Sequence, residues 1–290
     1  MDVSTNIDLA SAIALVGVLV TAIMAFAIAK VAWGHRGHER LARETGLPLL
    51  GKVPMEAVYA AIFPIGRVLA RIGFSANAVS VASLGVAAGA GVLFATGHFG
   101  AGAAVAVLAT LADALDGIVA RESRTQSRFG QVLDTTIDRY VDALLIGGIA
   151  VFVRMEVWLL ALCIAALVGG FMVSYASSVL RELKADDSGA PMRRAHRVAY
   201  LLSGATLVPF AEVALPHAPL ALRLAPVVVA LAAIAVVGNV SAVTRLLRTA
   251  RVPEPKPAPP VSASTLSSIA ITTDRASGRI DTIVTRERLP

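Results

Sequence analysis

Charged residues are scarce in this 290-residue sequence, and their scarcity limits the class of protein it can encode. Asp, Glu, Lys and Arg make up 16% of the chain, whereas soluble globular proteins contain about 25%. Cysteine is scarcer still, since Cys163 is the only one, and this excludes a disulfide-stabilised secreted scaffold. Apolar residues account for 56% of the chain. Because so apolar a chain needs an apolar solvent, we predict a multi-pass protein of the lipid bilayer.

Seven apolar runs are long enough to cross about 30 Å of hydrocarbon as helices. These runs are continuous and rich in Ala and Leu, and they lack the roughly ten-residue alternation of membrane barrel strands. We therefore predict an all-α fold, a polytopic transmembrane helical bundle. The predicted spans lie near 10–32, 78–97, 101–120, 134–153, 157–179, 198–215 and 222–245.

The basic residues between the spans predict the orientation of the bundle. They collect in alternate connections, and the opposite side receives only Arg154 and Arg223. By the positive-inside rule, the N-terminus is expected outside and the C-terminus in the cytoplasm. The formal net charge of +6 then reflects cytoplasmic loops, so no nucleic-acid partner is expected. The predicted cytoplasmic set is Arg36, Arg40, Arg43, Lys52, Arg67, Arg71, Arg121, Arg124, Arg128, Arg181, Lys184, Arg193, Arg194 and Arg197.

Composition divides the chain into four predicted parts. Residues 54–74 mix apolar side chains with Arg67 and Arg71, which predicts an amphipathic helix at the cytoplasmic membrane surface, kinked or split at Pro64. An ordinary surface helix is the alternative. The parts are a transmembrane anchor (1–34), a basic segment with the interfacial helix (35–77), a six-helix core (78–248) and a largely disordered tail rich in Pro, Ser and Thr (249–290).

Four aspartates are predicted to converge at the cytoplasmic end of two neighbouring spans. Asp113 and Asp116 lie at i,i+3 near the end of one span, so they share a helix face. Asp134 and Asp138 lie at i,i+4 at the start of the next, antiparallel span. Four carboxylates in a medium of low dielectric constant repel one another unless a cation neutralises them. The pattern predicts one or two Mg²⁺ or Mn²⁺ ions, the alternative being helix caps in water.

The residues around the aspartates indicate a diphosphate ligand. Gly117 and Ala120 leave the helix surface bare, Arg121 adds a fixed cation, and Gly130 opens the following helix. A diphosphate at a membrane surface implies a lipid nucleotide or a polyprenyl diphosphate. A polyprenyl diphosphate transferase is thus one alternative, and a cation transporter that uses the same aspartates is another. A transport pathway would distribute polar residues across the bilayer, whereas here they collect at one end.

The complete pattern resembles the signature of a known enzyme family. Asp113-x2-Asp116-Gly117-x2-Ala120-Arg121-x8-Gly130-x3-Asp134-x3-Asp138 fills all eight positions of the motif of the class I CDP-alcohol phosphatidyltransferases. The resemblance extends over about residues 65–248, because the stretch from Ser75 to Ser80 is similar to the Pro-Asn-x-x-Thr start of the family's first core helix. Ala76 replaces the proline there, and Ser80 replaces the threonine.

This resemblance implies a metal-dependent transferase of phospholipid biosynthesis. It would transfer a phosphatidyl group from a CDP-linked lipid such as CDP-diacylglycerol to the hydroxyl of a small polar acceptor, and release CMP. The aspartates Asp113, Asp116 and Asp134 would hold the metal, and Asp138 would join them or act as the general base. The CDP site would be lined by Gly117, Ala120, Arg121 and Gly130. Members of the family often form homodimers, so a homodimer is possible here.

A basic cluster is predicted to receive the acceptor. Several arginines suit a phosphorylated alcohol, although positive-inside bias alone is the alternative explanation. Ser174-Tyr175 followed by an Arg cluster is similar to members that use inositol phosphate, but these commonly carry Glu where His196 stands. Inositol phosphate and glycerol 3-phosphate are therefore both candidates. The predicted acceptor residues are Arg181, Lys184, Arg194, Arg197 and Arg245.

Three further side chains receive predictions from the sequence alone. Asp142, one turn beyond Asp138, is expected to support the site or to pair with Arg139. His196 lies among arginines and is expected in a solvated loop, and His98, which lacks a partner at metal-ligand spacing, is assigned no role.

Overall fold

Helices form the fold wherever the computed structural model describes the chain, which is over residues 3–33, 53–183 and 192–249. This confirms the predicted all-α class. The predictions for residues 34–52, for Lys184 and for the tail from 250 onward lie outside the described residues. In chain order the helices are α1 (Val3–Trp33), α2 (Val53–Arg71), α3 (Ala76–Ala95), α4 (Phe99–Glu122), α5 (Arg128–Phe152), α6 (Val157–Glu182), α7 (Arg194–Ala214), α8 (Leu220–Arg223) and α9 (Ala225–Thr249).

Five helices in the described part are long and apolar enough to cross a membrane: α1 over Thr5–Ile28, α3, α4, α6 and α9. They match five of the seven predicted spans. The other two predicted spans correspond to α5 and α7, whose 25 and 21 residues also suffice for a crossing. These two helices are more polar because they carry the acidic and basic side chains that face one another inside the bundle.

Helix α2 packs on the end of α4 that carries the aspartates. It continues through Pro64, so the expected split does not occur. Its backbone approaches α4 closely, since a Cβ added at Gly66 would lie 2.6 Å from Cγ2 of Ile118. Arg67 Nε lies 3.6 Å from Glu122 Oε2. The amphipathic helix that the sequence predicts is therefore fixed against the core on one face.

Local sequence sets where the helices around the site begin. Ser75 precedes α3, and its Oγ accepts a hydrogen bond from the backbone N–H of Ala78 at 3.2 Å. Ser127 caps α5 in the same way, accepting from the N–H of Gly130 at 3.0 Å. Such caps satisfy backbone donors that have no partner within the helix. Gly97 has a φ of +89°, which permits the tight turn from α3 into α4.

The close approach of α3 and α5 depends on glycines. A Cβ added at Gly148 would lie 2.2 Å from the carbonyl oxygen of Gly91, and one at Gly91 would lie 2.7 Å from that of Leu144. Two other glycines of α3, Gly85 and Gly89, have nothing within 4 Å of an added Cβ. The contact between α3 and α5 therefore depends on Gly91. It holds α5, with Asp134 and Asp138, against α3.

Helix α1 attaches to the bundle through a buried aspartate. Asp8, which is 4% exposed, accepts the backbone N–H of Ala101 at 3.0 Å, and its other oxygen lies 3.0 Å from Nδ1 of His98. The sequence assigns His98 no role, whereas the structure pairs it with an aspartate 90 residues earlier in the chain. His98 is the N-cap residue of α4 but makes no side-chain cap. Asp8 supplies that cap from another helix.

Asp8→Ala is expected to lower the stability of the bundle by about 1–2 kcal/mol, because it removes the cap of α4 and leaves the partly buried N–H of Ala101 unpaired. The thermal unfolding midpoint in detergent should fall by roughly 2–8 °C. Asn6→Ala, an exposed change in the same turn of α1, is the matched control and should leave the midpoint unchanged. Equal midpoints for the two variants would show that this contact does not hold α1.

Candidate active site

Three carboxylates from α4 and α5 meet at one point in the bundle. One oxygen each of Asp113, Asp116 and Asp134 lies within 4.8 Å of the others. Asp116 is buried, and the other two side chains are partly buried. The meeting point lies near the end of α4 and the beginning of α5, which a short turn connects. The structure thus brings together three of the four aspartates that the sequence singles out.

A serine on α3 supports this group. Ser80 Oγ donates a short hydrogen bond to Oδ2 of Asp116 and lies 3.1 Å from the carbonyl oxygen of Ala76. This bond fixes one oxygen of Asp116 in a buried setting, since Ser80 is 4% exposed. Sequence reasoning treated Ser80 only as a replacement for threonine. The hydroxyl shared by the two residue types was the signal that could have identified its role.

The fourth aspartate contacts an arginine. Oδ1 of Asp138 lies 2.6 Å from Nη1 of Arg194, and the same Nη1 donates to Oδ2 of Asp113 at 2.9 Å. Arg194 Nε lies 3.9 Å from Asp142 Oδ1. Arg194, predicted as an acceptor ligand, therefore lies among carboxylates, and its Nη1 bridges Asp138 and Asp113.

The three-carboxylate group fits a divalent cation. Among the described residues, Oδ1 of Asp113 is buried and has no hydrogen-bond partner. An unpartnered buried carboxylate oxygen is costly unless a cation contacts it. Carboxylate oxygens are the ligands preferred by Mg²⁺ and Mn²⁺. The donor set and its burial are thus those of a site for a hard metal ion.

The predicted diphosphate surface lies beside the carboxylates. A Cβ added at Gly117 would lie 3.3 Å from Nη1 of Arg121, so this arginine folds back over the bare helix surface. Its Nη2 donates to the hydroxyl of Tyr59 on α2 at 3.2 Å. Gly130 lies close to α3, since an added Cβ would be 3.4 Å from Oδ1 of Asn77. Ala120 is partly buried on the same helix as Gly117.

The predicted acceptor residues divide into separate environments. Arg197 is 5% exposed, and its Nη2 donates to Asp142 Oδ2 at 3.1 Å and to Ser174 Oγ at 3.2 Å. Arg197 Nη1 is buried and has no hydrogen-bond partner within the described part of the chain. Arg245 donates to the carbonyl oxygen of Met192 at 3.1 Å, and Arg181 is exposed.

Two predictions for neighbouring side chains are wrong. Asp142 pairs with Arg197 and not with Arg139, because the guanidinium of Arg139 donates to the carbonyl oxygen of Thr135 within its own helix. His196 is 9% exposed, because α7 begins at Arg194 and its first turn packs into the bundle. Spacing along one helix suggested the first pairing, whereas the observed partner comes from another helix.

Comparisons with known proteins agree with this geometry. The sequence model of CDP-alcohol phosphatidyltransferases matches residues 74–240. Phosphatidylinositol phosphate synthase from Mycobacterium marinum is 34% identical over 157 residues, which cover 53% of this chain and 67% of the relative.

Two solved structures of the Mycobacterium tuberculosis phosphatidylinositol phosphate synthase are also similar to the chain. The structure with CDP-DAG bound has a TM-score of 0.58 at 27% identity and covers 68% of this chain and 97% of its own. The structure in complex with manganese and citrate has a TM-score of 0.58 at 26% identity and covers 74% and 97%.

Proposed function

The chain belongs to the CDP-alcohol phosphatidyltransferase family, and from this premise we propose that it transfers the phosphatidyl group of CDP-DAG to inositol phosphate and releases CMP. The class of the protein is a multi-pass membrane phosphotransferase of phospholipid synthesis. The alternatives of a polyprenyl diphosphate transferase and a cation transporter are not favoured, because the family match covers residues 74–240. The observation that carries the proposal is the convergence of Asp113, Asp116 and Asp134 beside a bare, arginine-flanked helix surface.

We assign the metal to Asp113, Asp116 and Asp134. One or two Mg²⁺ or Mn²⁺ ions held there would neutralise the donor diphosphate and stabilise the charge of the departing CMP. The relative solved with manganese supports a divalent ion of this kind. Ser80 holds Asp116 in place, and such supporting hydrogen bonds orient metal ligands.

Asp138 is proposed as the general base. The alternative is that Asp138 is a further metal ligand. Its carboxylate lies outside the group of three, and it contacts Arg194, which also contacts Asp113 of that group. A base in this position can accept the proton of the acceptor hydroxyl as that oxygen attacks the phosphorus atom. Arg194 contacts both Asp113 and Asp138, so it fixes the distance between metal site and base.

The donor lies, in this proposal, along the surface made by Gly117, Ala120, Arg121 and Gly130. The lack of side chains at the two glycines allows a large nucleotide to approach the backbone. Arg121 would contact phosphate oxygens, for which a guanidinium has several suitable donors.

The acceptor is proposed to bind through Arg197. Its Nη1 is buried and available for a phosphate oxygen, while its Nη2 is held by Asp142 and Ser174. Arg194 lies one turn away on α7 but is occupied by carboxylates, and Arg181, Lys184 and Arg245 would have at most a peripheral part. The names of the relatives favour inositol phosphate over glycerol 3-phosphate.

Arg197→Ala is expected to raise the apparent KM for inositol phosphate by roughly 10- to 150-fold, because one charge-assisted contact to phosphate is lost. The KM for CDP-DAG should change little. The measurement is CMP release in nanodiscs at varied inositol phosphate, glycerol 3-phosphate, free inositol and serine. Arg71→Ala, which removes an exposed arginine, is the matched control and should behave like the wild type.

Arg197→Lys separates binding from folding, since it keeps a cation beside Asp142 and loses the forked geometry. An intermediate KM for this variant supports phosphate binding by Arg197. Wild-type kinetics in Arg197→Ala, or a preference of the wild-type protein for free inositol or serine, would remove Arg197 from the acceptor site.

We also propose the orientation and the division of the chain. The arginines of α2 and of the α4–α5 turn lie at the aspartate end, while Arg154, between α5 and α6, and Arg223, at the end of α8, lie at the other end. This distribution favours an active site at the cytoplasmic face, with the N-terminus outside and the C-terminus inside. The anchor 1–34, the interfacial segment 35–77, the core 78–248 and the tail 249–290 remain the proposed parts.

A further inference from the structure

We propose that Tyr59, on α2, is a positioning residue of the donor site and holds the guanidinium of Arg121 over the bare surface at Gly117. This inference rests on the proposed function, since it requires that Arg121 contact the CDP donor. Tyr59 lies before residue 74, where the family match begins. The segment that precedes the matched core would therefore contribute to donor binding.

The contacts of Arg121 define its position from two sides. Its Nη2 donates to the Tyr59 hydroxyl at 3.2 Å, and its Nη1 is 3.3 Å from where a Cβ of Gly117 would lie. The guanidinium thus lies between α2 and the helix surface next to Asp116. An arginine side chain loses about 2 kcal/mol of rotamer entropy when it is held in one geometry. Because the hydrogen bond to Tyr59 already restricts Arg121 in the free protein, Arg121 loses less rotamer entropy when the donor binds.

Helix α2 is itself fixed, so Tyr59 has a defined place. Ala57 and Ile62 on α2 are 3% and 5% exposed. Gly66 packs against Ile118 of α4, as described above. The ring of Phe63 lies 6.0 Å from the ring of Tyr59 and 4.9 Å from the guanidinium carbon of Arg67. These contacts attach α2 to the same helix that supplies Asp113 and Asp116.

The hydrogen bond leaves Arg121 able to bind phosphate. A guanidinium has five N–H donors, and the phenol oxygen accepts only one of them. The remaining donors can reach diphosphate oxygens at the bare surface. Tyr59 therefore acts through Arg121 and does not need to contact the donor itself.

Tyr59→Phe removes the hydroxyl and keeps the ring against Phe63. In nanodiscs, it is expected to raise the KM for CDP-DAG by about 3- to 10-fold, the effect of one lost hydrogen bond. The kcat, the KM for inositol phosphate and the thermal unfolding midpoint should remain those of the wild type. Tyr140→Phe, at an exposed tyrosine of α5, is the matched control and should change none of these values.

A double-mutant cycle identifies the partner. In an Arg121→Gln background, Tyr59→Phe should have no further effect on the KM for CDP-DAG, because its partner is already lost. Three results would overturn the role of Tyr59 and leave the proposed function standing: an unchanged KM for CDP-DAG in Tyr59→Phe, an equal rise in the KM for inositol phosphate, or the same effect of Tyr59→Phe in both backgrounds. A wild-type protein that releases no CMP from CDP-DAG would overturn the proposed function, and this inference with it.

Discussion

Asp116→Asn is expected to lower kcat/KM for CMP release by roughly 10³-fold, because metal stabilisation of the diphosphate contributes several kcal/mol to the transition state. The substitution keeps the size of the side chain and removes the charge of the most buried carboxylate of the group. The affinity for Mn²⁺ should fall in parallel. It is measured from the decrease in the paramagnetic resonance signal of the free ion as the ion binds. Binding of CDP-DAG should then no longer depend on the metal.

Two comparisons make the Asp116 result specific. Glu212→Gln removes the charge of a partly buried carboxylate on α7, outside the aspartate group, and should leave activity and Mn²⁺ binding unchanged. Ser80→Ala removes only the hydrogen bond to Asp116 and should cost about 10- to 100-fold, as loss of a supporting partner does at other metal sites. Wild-type Mn²⁺ affinity in Asp116→Asn would show that Asp116 is not a metal ligand.

Asp138→Asn is expected to lower kcat by roughly 10²- to 10⁴-fold while Mn²⁺ and CDP-DAG still bind, because an amide cannot accept the proton of the acceptor hydroxyl. The structure favours this separation, since Asp138 lies with Arg194 and not within the group of three. Equilibrium binding and single-turnover rates measured on the same preparation distinguish the two effects.

Two results for Asp138→Asn would contradict this expectation. Loss of Mn²⁺ binding as severe as in Asp116→Asn would make Asp138 chiefly a metal ligand. Full activity would eliminate it as the base. In the second case the acceptor proton must leave by another route, and Asp142, the next carboxylate along α5, would become the candidate.

Spacing along the chain was sufficient to predict the helices and the meeting of Asp113, Asp116 and Asp134. Asp113 and Asp116 share a helix face, and a short turn leads from α4 into α5. The packing of α5 on α3 at Gly91 and Gly148 then holds Asp134 beside them. The amphipathic segment before the core was predicted for the same reason, since its apolar and basic residues recur with helical spacing.

Contacts between distant helices could not be predicted in this way. Arg194 is 56 residues beyond Asp138 in the numbering, and nothing local indicates that its guanidinium lies among three carboxylates. The contact of Asp8 with His98 depends equally on how α1 packs against α4. Composition identified the basic residues, but only packing shows that Nη1 of Arg194 contacts two aspartates, whereas Nη1 of Arg197 has no hydrogen-bond partner among the described residues.

The most direct test of the whole account is the product formed by the purified wild-type protein in nanodiscs that contain CDP-DAG. With inositol phosphate and Mg²⁺ or Mn²⁺ present, we predict CMP release and, by mass spectrometry, an equal amount of a lipid whose head group is a phosphorylated inositol. Removing the divalent ion with a chelator should stop both. CMP release that needs no divalent ion, or a lipid product formed with glycerol 3-phosphate and not with inositol phosphate, would contradict the account.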